Sequence, residues 1–239
     1  MGEKTCYDQY RRRMVDSAAY PGETGTMDDL KLAALMCSKI CHDLISPVGA
    51  LANGLEVLAE DDDPEMHKHA MTLLEASAAQ AAAKLKFARL AYGSSGSKGT
   101  EIDLREAEMA VRELLGGGKI NIQWDAPAAP FNKDVVKVLV NLAHTACDTI
   151  PRGGNLKVTV VSSTSGGNAG GSVSLAATGP RAKLADETRA GLDGGVASDD
   201  LDVRTVVPWI CGVLAREFGQ GIDVSVEEET VKFSFTFSA

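Results

Sequence analysis

With 239 residues, 44% of them hydrophobic and 24% charged, the chain is long enough to bury a sizeable core as one large domain or two modest ones. A net charge of −9 argues against a nucleic-acid binder, which needs a basic face to release counterions. No apolar run reaches membrane-spanning length and no signal-peptide pattern opens the sequence, so a cytoplasmic location is expected.

Residues 1–26 carry Arg11 to Arg13 and a Pro21-Gly22 turn signal but no sustained periodicity, which predicts a flexible N-terminal extension. A helical-hairpin domain is then expected over 27–93. Leu30, Ala34, Cys37, Cys41, Leu44, Val48, Leu51, Leu55 and Leu58 recur at alternating spacings of four and three, the seam of a long helix packed against other helices. Glu60 to Pro64 is an acidic, helix-breaking turn, and a second helix runs from about Pro64 to Tyr92 with an alanine-rich middle. One hairpin cannot cover its own seam, so pairing with a second copy into a four-helix bundle, a homodimer, is the economical solution.

Gly93 to Ser97 reads as a linker, placed at 94–101, and an α/β domain follows over 102–239. Asp103 with Glu106 has the spacing of a capping box opening a helix to about Leu115. Ile120 to Trp124 is predicted as a strand, and Asn132 as the cap of a helix carrying Val135, Val136, Leu139, Leu142 and Ala143 inward. Leu156, Val158 and Val160 alternate as a strand, a Gly/Ser-rich turn spans Ser165 to Gly171, and Val173 and Leu175 belong to the next strand. Helices are predicted around Leu184 to Leu192 and Val203 to Phe218, and a closing hairpin over Ile222 to Val226 and Val231 to Phe237. The fold class is α+β, a mixed sheet covered by helices on one face behind a helical hairpin.

Five cysteines, Cys6, Cys37, Cys41, Cys147 and Cys211, are an odd number, and two of them lie on the seam; reduced thiols fit this better than a disulfide framework. Cys37, Cys41 and His42 do not make a metal site, because the histidine diverges from the thiols, and His67 and His69 also point apart.

His42 is turned about 100° from the seam residue Cys41 and so faces solvent. Lys39, Ser46 and Gly49 share its face, and Ile45 lies beside it. A neutral imidazole is a competent nucleophile near pH 7 and can take up and release a phosphoryl group. Asp43 could hydrogen-bond its second nitrogen, and the Ser46 hydroxyl could contact phosphoryl oxygens. Pro47 removes the amide that would bond the Asp43 carbonyl, which predicts a kink. Equal distances from the turn bring Lys84 and Arg89 near His42, as cations for an incoming phosphoryl group or as solvated helix charges.

Cys41 to Pro47 resembles the histidine-acid-x-x-serine/threonine-proline box of sensor histidine kinases, set in the same two-helix dimerisation hairpin. The tail domain is similar to their ATP-binding (Bergerat-like) domain in element order, and Asn141 matches the asparagine that holds magnesium and phosphates there. The nucleotide site departs from that pattern. Ala177-Thr178-Gly179-Pro180-Arg181 stands where kinases have D-x-G-x-G, and Asp202 to Pro208 has no glycine where they have a phosphate loop.

With Phe87 to Gly93, Asn141 to Gly154 and Gly179 to Arg181, this combination resembles the dimeric histidine phosphotransferases of alphaproteobacterial cell-cycle phosphorelays, from about residue 30 onward. The resemblance implies phosphoryl transfer from the receiver aspartate of a CckA-like hybrid kinase to His42, then to CtrA-like and CpdR-like response regulators. It implies no bound ATP or metal, with magnesium on the partner receiver and the tail domain as a docking surface. An ATP-dependent autokinase with an atypical pocket and a non-enzymatic pseudokinase scaffold are the rival readings.

Overall fold

The computed structural model describes residues 29–60, 63–93, 101–165, 168–196, 200–218 and 221–238. The predicted extension over 1–26 and all but the last residue of the predicted linker lie outside them. The elements are α1 (Asp29–Glu60), α2 (Pro64–Tyr92), β1 (Glu101–Asp103), α3 (Leu104–Leu115), β2 (Ile120–Asp125), β3 (Pro130–Asn132), α4 (Lys133–Asp148), β4 (Gly154–Ser165), β5 (Asn168–Thr178), α5 (Asp186–Asp193), α6 (Val206–Glu217), β6 (Asp223–Glu227) and β7 (Thr230–Ser238).

α1 and α2 form the hairpin. Asp63 caps α2 by accepting the Glu65 amide at 3.0 Å, and Pro64 takes a first-turn position where no amide is needed. The face of α1 that meets α2 is not the predicted seam. Met36, Ile40, Asp43, Pro47, Ala50, Gly54 and Val57 form a half-buried or buried line, with Gly54 letting the backbone approach Ala70 and Leu74. The seam is the same pattern displaced by one residue, about 100° around the helix. Its Leu30, Val48 and Leu55 are 74%, 52% and 60% exposed, and Cys37 and Cys41 are exposed rather than on a buried face. Leu44, Leu51 and Leu58 sit between the two faces and are half-buried.

A five-stranded sheet of order β2-β4-β5-β7-β6 follows, mixed because β2 runs parallel to β4 while the other pairs are antiparallel. Alternation puts Leu156, Val158, Val173, Leu175, Ala177, Val231, Phe233 and Phe235 under the helices and leaves Lys157, Ser174 and Lys232 on the open face. α4 lies across the buried face. The Gly/Ser-rich stretch expected as a turn is mostly strand, since pairing continues to Ser165 with Asn168. Gly171 is needed there because a side chain would strike the Val161 carbonyl and the Phe237 ring. Sequence periodicity misses the two-stranded ladder of β1 with β3, whose strands are three residues long.

The hairpin is not a separate body. Phe87, Leu90 and Ala91, at the end of α2, belong to one buried core with Leu104, Val111, Val136, Leu139, Val140 and the sheet. Ion pairs Lys86–Glu113 and Arg89–Glu106, both at 2.9 Å, tie α2 to α3 from outside. Glu106 therefore does not complete the predicted capping box; Asp103 caps α3 alone, by accepting the Arg105 amide at 2.8 Å.

Two backbone positions are diagnostic. Gly154, at φ 146°, starts β4 where any side chain would meet the Thr178 carbonyl, whereas Arg181 occupies the left-handed region at φ 61°. Gly154→Ala should destabilise the protein by more than about 2 kcal/mol, and Arg181→Gly should raise stability by up to about 1 kcal/mol. Urea-unfolding midpoints of the two variants check both signs.

Candidate functional site

Pro47 lies inside α1, which nevertheless continues to Glu60. Having no N–H, it leaves the Asp43 carbonyl without its helical partner. The Lys84 ammonium, reaching over from α2, donates to that carbonyl. One turn earlier the Lys39 ammonium pairs with the Asp43 carboxylate, as residues four apart on a helix can. Both sides of Asp43 are thus held by cations, and the segment that carries His42 is fixed against α2.

His42 itself stays open, with 75% of its side chain exposed. Its Nδ1 lies 3.6 Å from Asp43 Oδ1, too far for a hydrogen bond. The expected orienting bond from Asp43 is therefore not made here, because consecutive residues diverge on a helix while Lys39 stands on the right spacing. Ser46 and Gly49 follow on the His42 face, both exposed, with open space around Gly49. Ile45 is 69% exposed. Arg89 does not join them; its guanidinium is bound to Glu106. Of the two predicted cations, Lys84 reaches the His42 segment, and it and Lys39 are both engaged with Asp43.

A cavity of about 460 Å³ opens between α1 and the helices of the α/β domain. Lys39, His42 and Asp43 form one wall; His144, Thr145 and Asp148 from α4, Thr188 from α5, and Val203, Arg204, Val207 and Pro208 around the start of α6 form the others. Sequence reasoning missed His144, Asp148 and Arg204. The first two could have been found as a pair four apart on a predicted helix, with His144 Nδ1 now 3.5 Å from Asp148 Oδ2. Arg204 lay in the stretch read only for its missing glycines.

His144 packs on the Phe87 ring, with centroids 5.8 Å apart. Burial lowers its pKa below the ordinary value, with Asp148 and Asp43 opposing and Lys39 and Lys84 adding to the effect. Burial also pushes the Cys147 thiol up to about 12, and Cys211 is raised too, so both are inert core thiols.

The stretches that resemble a nucleotide site are committed elsewhere. Asn141 is fully buried; its Nδ2 donates to the Ala91 carbonyl at 3.2 Å and the Lys137 carbonyl at 2.9 Å, and its Oδ1 has no partner among the described residues. Ala177 is buried in β5, and Gly212 of α6 lies directly on the Leu192 carbonyl of α5, leaving no room between those helices for a side chain. Among the described residues no group of three or more His, Cys, Asp or Glu is arranged for a metal, and no helix is long and apolar enough to cross a membrane.

Comparison with known proteins places this arrangement. Residues 104–230 match the model of the histidine phosphotransferase C-terminal domain. The chain is 34% identical over 209 residues to the protein phosphotransferase ChpT of Brucella abortus (strain 2308), covering 87% of this chain and 97% of that one. A solved structure of a bacterial phosphotransferase superposes with a TM-score of 0.76 at 31% identity, over 90% of this chain and 99% of the other.

Because folding keeps His144 neutral, the unfolded chain binds the extra proton below the ordinary pKa of about 6.5. Stability from this residue should be fully present above that value and decline as pH falls further. Denaturation midpoints between pH 7.5 and 5 should therefore fall more steeply for the parent protein than for His144→Gln.

Proposed function

The chain belongs to the histidine phosphotransferase family, and from that premise we propose that His42 carries phosphate between receiver domains in a phosphorelay. The donor is the receiver aspartate of a hybrid histidine kinase, and the acceptors are receiver domains of response regulators. The observation that carries this reading is the exposure of His42 on a helix segment pinned by Lys39, Lys84 and the buried Pro47. A receiver can bring its phosphoaspartate to such a side chain without any movement of the stalk.

In the first half-reaction a ring nitrogen attacks phosphorus in line, a P–N bond forms, and the acyl-phosphate P–O bond breaks to release the donor aspartate. The second half-reaction reverses this towards the acceptor aspartate. Acidic residues of the receiver would hold magnesium, which would supply charge neutralisation for the phosphoryl oxygens. Asp43 does not act by a direct bond to the ring in this geometry; it anchors the His42 turn through Lys39 and Lys84. The Ser46 hydroxyl, Ile45 and the open surface at Gly49 form the contact face for a receiver. Lys39 and Lys84 hold the histidine segment, and Arg89 braces α2 on α3.

The exposed stripe of Leu30, Cys37, Cys41, Val48 and Leu55 supports a homodimer through a four-helix bundle, since burying each large aliphatic side chain contributes about 1.5–3 kcal/mol. The relay we infer is cytoplasmic and governs the cell cycle, with a CckA-like donor and CtrA-like and CpdR-like acceptors. No ATP is needed. An autokinase would need Asn141 to face a metal, yet its amide is bound to backbone carbonyls in the core.

The test is transfer without nucleotide. A receiver carrying labelled phosphate should pass acid-labile label to the protein, and His42→Gln should abolish uptake while the oligomeric state is unchanged. Label retained elsewhere in His42→Gln, or self-labelling from Mg-ATP, would overturn the reading.

A further inference from the structure

We infer that Arg204 is a phosphoryl-binding residue, whose guanidinium reaches across the cavity between α1 and α6 to clamp the phosphoryl group carried by His42 of the same chain. The inference rests on His42 being the phosphoacceptor.

A phosphoryl group brings close to two negative charges to His42. It arrives beside Asp43, and a second carboxylate, Asp148, lines the same cavity. A dianion placed there needs a cation. Lys39 is taken by the Asp43 carboxylate, Lys84 by the Asp43 carbonyl and Arg89 by Glu106. His144, on the opposite wall, is kept neutral by burial.

Arg204 remains. It lines the cavity with His42, it is exposed, and among the described residues no carboxylate forms an ion pair with its guanidinium. The nearby acid is Asp202, whose Oδ1 is spent within its own turn. It accepts the amide of Arg204 at 2.8 Å and the amide and hydroxyl of Thr205, both at 2.9 Å. Those bonds, those of Thr205 first, with a smaller contribution from the Arg204 charge, hold Asp202 below the usual carboxylate range, and they fix the backbone from which Arg204 extends. The planar fork of arginine matches phosphoryl oxygens in pairs, which lysine does not.

The clamp has a chemical consequence for a stored phosphohistidine. In hydrolysis a P–O bond to water forms as the P–N bond breaks. The electron pair returns to the ring, the ring takes up the proton, and inorganic phosphate leaves. Charge on the phosphoryl oxygens drives that expulsion, and a guanidinium pairing with them withdraws it. Arg204 thus lengthens the life of the intermediate between donor and acceptor.

The experiment uses the full chain, loaded from a phosphorylated receiver that is then removed. Label loss should be about three- to tenfold faster in Arg204→Ala than in the parent, with Arg204→Lys between them. The 31P resonance of the phosphohistidine should also shift in Arg204→Ala, a readout that altered folding alone would not move in a variant with unchanged circular dichroism. An unchanged lifetime and resonance, with slower transfer from the receiver, would make Arg204 a receiver contact and overturn the proposal alone. Label that survives His42→Gln would instead remove its premise.

Discussion

The architecture turns on one hydrogen bond, from the Asn141 amide to the Ala91 carbonyl. The last carbonyls of any helix lack partners within it, and burying one without a donor is costly. Here the end of α2 enters the core of the α/β domain, and α4 supplies the missing donor from a fully buried side chain. Phe87 and Leu90 pack around that point, and Phe87 reaches on to His144. The stalk is fastened to the α/β domain at its end, which sets the cavity beside His42. A loose linker alone could not hold that spacing.

The same logic operates in α1. Proline in a helix interior costs a hydrogen bond, and Lys84 replaces the lost donor from the neighbouring helix. That replacement depends on the hairpin being closed, so the local defect becomes a tertiary bond. The helix turn bearing His42 is thereby tied down on the side away from the imidazole. His42 thus has a rigid support and a bare outer face.

Much of this was legible from periodicity. Both hairpin helices, the helix capped by Asn132 and the alternating strands all have enough residues to show their period. The face of α1 was not legible, because apolar residues occupy two adjoining faces: Met36, Ile40, Pro47 and Val57 beside Cys37, Cys41, Val48 and Leu55. A single sequence does not say which is covered within the chain. β1 and β3 were too short to show alternation, and the glycines at 170–171 resembled a turn although their role is to let strands and Phe237 approach. At the site, the exposure of His42 could be read from its neighbours in sequence. His144, Asp148 and Arg204 are brought to it only by tertiary packing.

The departures from a nucleotide site are linked rather than scattered. Asn141 is fully buried, and its Nδ2 is bound to two backbone carbonyls in the core. Asn141 fastens α4 to the stalk, and the stretches at 177–181 and 202–208 lack the aspartate and the glycines that the resemblance would place there. Ala177 can then join the hydrophobic core under the sheet. α5 can close onto α6 at Gly212. The loop before α6 brings Arg204 to the cavity that His42 also lines. One buried side chain thus joins the stalk to the α/β domain at the position where the resemblance would place a metal-facing asparagine.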